Sequence, residues 1–315
     1  MNETVLLLLL LATGFICLWK GGDLLVEGAG TVARSCHIPD LLIGLTLVSF
    51  GTSAPELVVN VLASLQQKPD IIFGNIIGSN IANTLLILGL SGSLFVLALP
   101  QKNRTQELLI NILIGAVVII LACLPLQSPA LSRWDSVALL IIFVGFLYWL
   151  FSHHMLDHRP ERANGSLLKP IIWVILGAIL LPLGGKWVID SGTQLAQLWG
   201  ISEALIALFA IALGTSLPEL VTTIIAAKKG ASELALGNII GSNIFNLVLI
   251  LGVSGLIAPI ALSPALMLDF GISLLAVVAL FGVLLLSPGR YLSRGGSMLL
   301  LLGYGAYLLM IVLRG

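Results

Sequence analysis

Two acidic residues lie inside long apolar segments, and both sit in the same local setting. Glu56 closes the run GTSAPE and Glu219 closes GTSLPE. A carboxylate at membrane depth is costly, and it is found where it pairs, carries a proton or binds a cation. No basic residue is duplicated beside these two, so a fixed internal ion pair does not account for them. Thr52 and Ser53 precede Glu56 by four and three positions, spacings that bring side chains to one side of a helical turn. Thr215 and Ser216 stand in the same relation to Glu219. Pro55 and Pro218 lack an N–H and clash with the carbonyl four residues back, that of Gly51 and of Gly214. A helix broken in this way is tolerated in lipid where its freed carbonyls line a cavity, and carbonyls are themselves cation ligands.

A second pair of segments supplies more oxygen. Asn75, Ser79 and Asn83 recur every fourth residue and form one polar stripe, matched by Asn238, Ser242 and Asn246. Gly74 and Gly78, like Gly237 and Gly241, make a G-x-x-x-G face on which helices approach closely. Taken alone, each Ser or Asn serves interhelical hydrogen bonding as well as it serves ligation. Together the donors are carboxylates, hydroxyls, amides and carbonyls, a set suited to hard cations such as Ca²⁺ and Na⁺. Transition metals prefer Cys, His or Met, which these segments lack. Two carboxylates neutralise one Ca²⁺ or two Na⁺. With both ionised and nothing bound the site is expensive, so a cation or a proton occupies it, and occupancy is what permits a change of facing.

The elements that must position these residues form a repeat. Residues 51–92 recur without a gap at 214–255, an offset of 163, with 23 of 42 positions identical. The relation extends upstream, aligning Glu27 with Asp190 and Asp40 with Glu203. The chain is 58% hydrophobic and 10% charged, with a mean hydropathy of +1.10, far from soluble globular usage. Ten apolar stretches can each cross a core of about 30 Å. They fall near 4–33, 40–65, 70–98, 105–125, 133–152, 168–197, 203–227, 232–258, 264–286 and 294–313. The expected fold is an all-α integral membrane protein of ten transmembrane helices, built as two five-helix repeats with helices 2 and 7 broken. An odd number of spans per repeat inverts the second copy, a plan of many secondary transporters. The halves are 1–155 and 169–315, and the short linker 156–168 is too small for a folded domain.

Loop charge sets orientation. Ten Lys and Arg residues fall on one side, among them Arg34, Arg104, Lys228 and Lys229, and only Lys68, Arg133 and Arg314 on the other. The rich side is expected to be cytoplasmic, with both termini outside it, in a plasma membrane. The first span carries Glu3 in place of a basic leader and has a counterpart later in the chain, so it is read as helix 1 and not as a signal peptide.

At GTSAPE and GTSLPE, each followed by GSNIxN, the chain resembles the calcium/cation antiporter superfamily, the sodium/calcium exchangers and their prokaryotic relatives. The resemblance covers both repeats. It implies a secondary antiporter that exchanges Ca²⁺ for Na⁺ by alternating access, with Ca²⁺ and Na⁺ as bound substrates and no resident cofactor. It implies Glu56 and Glu219 as central ligands, with Thr52 and Thr215 assisting calcium. Ser53, Ser79, Ser216 and Ser242 would assist sodium, with Asn83 at the centre and carbonyls near Ser49 and Ala212 completing peripheral sodium sites. Position 246 is Asn where some relatives, potassium-dependent ones included, carry Asp; Asn246 thus argues against a potassium requirement. The family also has proton-coupled members, which leaves a Ca²⁺/H⁺ antiporter as the alternative.

Other readings have less support. A passive channel is normally an oligomer around an axial filter, unlike an inverted repeat within one chain. No enzyme motif of the type G-x-S-x-G or H-E-x-x-H is present. Balanced charge and the lack of a basic run give no sign of a nucleic-acid partner; the lipid bilayer is the expected one. Cys17, Cys36 and Cys123 form neither a disulfide framework nor a metal spacing. His153, His154 and His158 are expected in a solvated linker, and Asp269 is expected to snorkel to the interface. Asp23 and Glu27 in helix 1, and Lys186 and Asp190 in helix 6, are expected at the membrane surface or paired with each other across the repeats.

Overall fold

The computed structural model describes residues 3–36, 38–98, 106–123, 130–155, 166–199, 214–287 and 291–314. Among these residues, eight helices are long and apolar enough to cross a membrane, and one bent pair makes nine. The chain is thus a multi-pass helical membrane protein. Ala212, Arg104, His158, Glu203 and the start of the seventh expected span lie outside the described residues.

In order, the elements are α1 (Glu3–Cys36), α2 (Asp40–Ile43), the π-helical turn π1 (Gly44–Val48), α3 (Ser49–Thr52) and α4 (Ala54–Leu65). Then come α5 (Pro69–Ile81), π2 (Ala82–Ile87), α6 (Leu88–Leu94), β1 (Leu97–Ala98), α7 (Gln106–Cys123), β2 (Ala130–Leu131) and α8 (Arg133–Met155). The second half carries α9 (Leu168–Leu198), α10 (Leu217–Lys228), α11 (Ser232–Ile244), π3 (Phe245–Ile250) and α12 (Leu251–Ile257). It ends with β3 (Ile260–Ala261), α13 (Pro264–Leu286), β4 (Tyr291–Leu292) and α14 (Arg294–Arg314). His153 and His154 thus end α8 and do not belong to a free linker.

Polarity runs inside out, as lipid requires. Leu9, Phe15, Ile16, Leu113, Ile120, Ile141, Val144, Leu299 and Leu302 are exposed apolar residues on the helix perimeters. Glu56, Thr52, Asn60, Asn238 and Ser242 are fully buried in the interior. Lipid tails are as apolar as leucine, so close packing holds such helices together instead of hydrophobic transfer. The longest pair shows how. A Cβ added at Gly14 would lie 3.0 Å from Gly184 O, one at Gly21 3.0 Å from Leu181 N, and one at Gly28 2.8 Å from Pro170 O. In the other direction, a Cβ at Gly177 would meet Gly21 O and one at Gly184 would meet Gly14 O, each at 2.7 Å. Helices α1 and α9 therefore run antiparallel with their backbones in contact, and glycines seven residues apart make this possible.

The α2–π1–α3 segment presses on α11 in the same manner. A Cβ at Gly44 would sit 2.7 Å from Leu234 O, and one at Gly237 2.7 Å from Leu41 O. Two small antiparallel ladders, absent from the all-α expectation, tie the halves together: β1 pairs with β4 (Leu97↔Leu292) and β2 with β3 (Ala130↔Ala261). Asp269 does not snorkel. It is buried and accepts a hydrogen bond from Arg314 Nη2 at 2.8 Å, because the last residues of α14 reach back over α13.

Candidate functional site

Proline breaks the second span as its sequence dictates. Helices α3 and α4 meet at an angle of 49° around Ser53, whose φ and ψ are −84° and 7°. Pro55 lies in the first turn of α4, where its missing N–H costs that helix nothing. Ser216 precedes α10 with nearly the same backbone, −85° and 3°, and Pro218 takes the place of Pro55. Glu56 and Glu219 thus each occupy the first turn of a helix, where the positive end of the macrodipole favours an anion.

The wall is made by α5–π2 and α11–π3. The π turns 82–87 and 245–250 stand at the same 163-residue offset, with Asn83 and Asn246 as the second residue of each. Wide turns of this kind inside α-helices are frequent at functional sites. No compositional signal in the sequence marks them.

The hydrogen bonds repeat across the halves. Thr52 Oγ1 donates to Asn238 Oδ1 at 3.1 Å, and Thr215 Oγ1 donates to Asn75 Oδ1 at 2.9 Å. Thr52 and Ser242 hydroxyls are 3.5 Å apart, and those of Thr215 and Ser79 are 3.3 Å apart. Asn83 Nδ2 donates to Asn243 Oδ1 at 3.1 Å, while Asn246 Nδ2 donates to Asn80 Oδ1 at 2.9 Å. Asn80 and Asn243 had no role in the sequence reading. Their signal was available as identity within GSN, but not the pairing with the opposite asparagine. Ser49 Oγ donates to Gly44 O at 2.6 Å and Asn238 O at 2.9 Å, and its carbonyl accepts from Ser53 N at 2.9 Å.

The symmetry is incomplete: Asn238 Nδ2 donates to Thr223 Oγ1 at 3.1 Å, whereas Asn75 Nδ2 has no partner. Ser53 Oγ lies 2.9 Å from Glu219 Oε1 and 3.0 Å from Ser242 Oγ, which in turn donates to Glu219 at 3.3 Å. The corresponding Ser216 Oγ has no hydrogen-bond partner, and neither oxygen of Glu56 meets full hydrogen-bond geometry, although the Thr215 and Ser79 hydroxyls face its carboxylate. Glu219 Oε2, Asn83 Oδ1 and Asn246 Oδ1 are likewise buried without a partner. Six buried oxygens, three of them carboxylate, therefore lack the hydrogen bonds that buried polar groups normally have. A cation bound among them would satisfy these acceptors. The asparagines already spend their N–H groups on one another, so their free oxygens are the ends left for a ligand.

The geometry brings together Glu56, Glu219, Thr52, Thr215, Ser53, Ser79, Ser242, Asn83 and Asn246 as side chains of these facing segments, with Ser49 hydrogen-bonded to the same wall. Cys17, Cys36 and Cys123 are free thiols. Among the described residues no group of three or more His, Cys, Asp and Glu side chains is placed to hold a metal ion. His153 is exposed, and its ring lies tilted at 33° against Trp149 with centroids 5.0 Å apart.

The sequence profile of the family described as "Sodium/calcium exchanger protein" matches residues 6–152 and 169–313. The inner membrane protein YrbG of Escherichia coli (strain K12) is 36% identical, with 96% of this chain and 95% of that protein covered. The sodium/calcium exchanger MaX1 of Methanosarcina acetivorans is 30% identical, with 96% and 97% covered. Among solved structures, the sodium-calcium exchanger NCX_Mj, soaked with zero Na⁺ and Ca²⁺, superposes with a TM-score of 0.85 at 28% identity. That match covers 98% of this chain and 100% of that one.

Proposed function

The chain belongs to the sodium/calcium exchanger family and is a membrane cation antiporter, and we propose that it exchanges Ca²⁺ for Na⁺ by alternating access, with cations bound between Glu56 and Glu219. The six unpartnered buried oxygens carry this reading, because they gather acceptors, three of them carboxylate, where among the described residues no ion pair to Glu56 or Glu219 forms. Thr52 and Thr215 add hydroxyl ligands for calcium. Ser53, Ser79, Ser216 and Ser242 offer small hydroxyls for sodium, joined by carbonyls near Ser49 and Ala212. Asn83 and Asn246 are neutral, so two carboxylates set the charge and balance one Ca²⁺ or two Na⁺. Potassium has no acidic ligand of its own here.

The proposed scaffold is ten helices in two inverted five-helix repeats. The antiparallel α1–α9 pair supports it: Gly14 meets Gly184 and Gly21 meets Gly177, so equivalent residues exchange places across the contact. Such reciprocal contact is what a two-fold relation between halves demands. The Lys/Arg asymmetry puts loops with Arg104 and Lys229 in the cytoplasm and both termini outside. A cysteine placed at position 68 is then labelled by an impermeant reagent applied to whole cells, and one at position 104 is not. The reverse pattern would invert the orientation.

The function is tested with purified protein in liposomes loaded with calcium. An outward-directed calcium flux is expected when sodium is added outside with pH clamped and potassium absent. Flux that ignores sodium and follows an imposed proton gradient would reassign the chain to Ca²⁺/H⁺ exchange.

A further inference from the structure

The two halves pack unequally at one pair of equivalent helix contacts, α1 against α10 and α9 against α4. Helix α1 packs on α10 along Trp19, Gly22, Asp23 and Glu27, residues that share one face at spacings of three and four. Lys228 Nζ lies over the Trp19 ring, 5.0 Å from its centroid. Lys229 Nζ is 2.5 Å from Asp23 Oδ1 and 3.5 Å from Glu27 Oε2. Between these grips the packing is tight: a Cβ at Gly22 would lie 2.8 Å from Ile225 Cδ1 and 3.2 Å from Val221 Cγ1. Asp23 and Glu27 therefore pair with α10 and not with Lys186 and Asp190 across the repeats.

Shifted by 163 residues, the same interface is α9 against α4. Here Pro182 replaces Trp19, Gly185 replaces Gly22, and Leu65 and Gln66 replace Lys228 and Lys229. Among the described residues no grip forms. Gly185 is buried, yet among the described residues a Cβ there would find nothing nearer than Pro218 Cδ at 3.9 Å. A cavity of about 380 Å³ opens between Pro55, Val58, Gly185 and Lys186 and reaches Thr215 and Pro218 beside the candidate cation site. Lys186 and Asp190 line this cavity and are exposed.

We propose that Lys228 and Lys229 form a clamp on Trp19, Asp23 and Glu27 that holds the α1–α10 entrance shut and biases the resting transporter toward the α4–α9 entrance. The bias is written into the sequence, since only one of two otherwise equivalent interfaces has residues able to make the clamp. An exchanger that alternates must release it in every cycle. Each grip is a surface-level ion pair or cation–π contact, weak enough to break and strong enough in combination to set a population. The inference rests on the alternating-access reading above, but not on which ions are carried.

The experiment uses single cysteines at Gly22 and Gly185 in a background with Cys17, Cys36 and Cys123 replaced by Ser, reconstituted without an ion gradient and labelled with a maleimide. At Gly22 the atoms a Cβ would crowd, Ile225 Cδ1 and Val221 Cγ1, are side-chain atoms, and the nearest backbone atom of α10, Thr222 Cα, is 3.7 Å away. Both positions are buried, and Gly185→Cys, on the cavity, should label faster than Gly22→Cys. Adding Lys229→Gln should raise Gly22→Cys labelling by about three- to tenfold and lower that of Gly185→Cys. Lys229→Glu combined with Asp23→Lys should return both rates toward the original pattern, which a variant that merely misfolds cannot do. Labelling unchanged by Lys229→Gln, or not restored by the charge swap, would overturn the clamp. Because no transport is measured, neither result depends on the sodium or calcium assignment.

Discussion

Glu56→Gln and Glu219→Gln should each lower calcium exchange by at least about a hundredfold while the protein remains folded. Glutamine keeps the shape and the acceptor oxygen, so Ser53 Oγ retains its partner at position 219. What is lost is one of the two negative charges proposed to balance a divalent ion in a buried site. Removing one member of a buried charge set costs about 3–5 kcal/mol, and each 1.4 kcal/mol is a factor of ten. The two variants should be similarly impaired despite the different surroundings of the two carboxylates, because charge balance needs both. The check is calcium flux in liposomes at matched protein density, with monodispersity on gel filtration as the folding control. Near-normal exchange by a well-expressed double variant would sink the site.

The second large effect is on assembly. Gly241→Val should cost at least about 2 kcal/mol of stability, the scale for forcing extra carbon into a packed interface. A Cβ there would lie 2.7 Å from Leu45 O and 2.8 Å from Leu45 Cα. These are backbone atoms that cannot rotate away, so α11 must move off π1 and α3. The displacement breaks the Ser49 and Thr52 contacts to Asn238 and so reaches the site itself. Gly145→Val is the control, since an exposed Cβ on α8 meets nothing within 4 Å. Soluble protein remaining after graded heating in detergent measures both. Equal stability of the two variants would show that the α11 contact yields more easily than its geometry implies.

Much of this was legible because the chemistry is local. Proline at 55 and 218 fixes where the helices break, and the break is found at Ser53 and Ser216. The four-residue spacing of Asn75, Ser79 and Asn83 puts them on one wall, and duplication says that an equivalent wall exists. What escaped reading depends on register and long-range contact. One extra residue per turn makes π2 and π3 without altering composition, yet it helps set where Asn83 and Asn246 point. Asn80 and Asn243 looked interchangeable with any interhelical amide until the opposite half supplied their partners. Asp269 looked like an interfacial acid because Arg314, its partner, is 45 residues away in sequence. Lys229 looked like loop charge. Its grip on Asp23 and Glu27 exists only because α1 and α10 meet.

The central claim is that one calcium ion sits between the two glutamates, and locating that ion tests it most directly. Crystals grown without sodium and soaked in calcium, measured for anomalous scattering at long wavelength, should show one peak bounded by both carboxylates. Oxygens of Glu56 and Glu219 should stand about 2.3–2.6 Å from it, with Thr52 and Thr215 on either side. The Ser53–Glu219 hydrogen bond should lengthen as Glu219 turns to the ion. A peak elsewhere in the protein, a peak held by only one of the two glutamates, or none at saturating calcium would contradict the account.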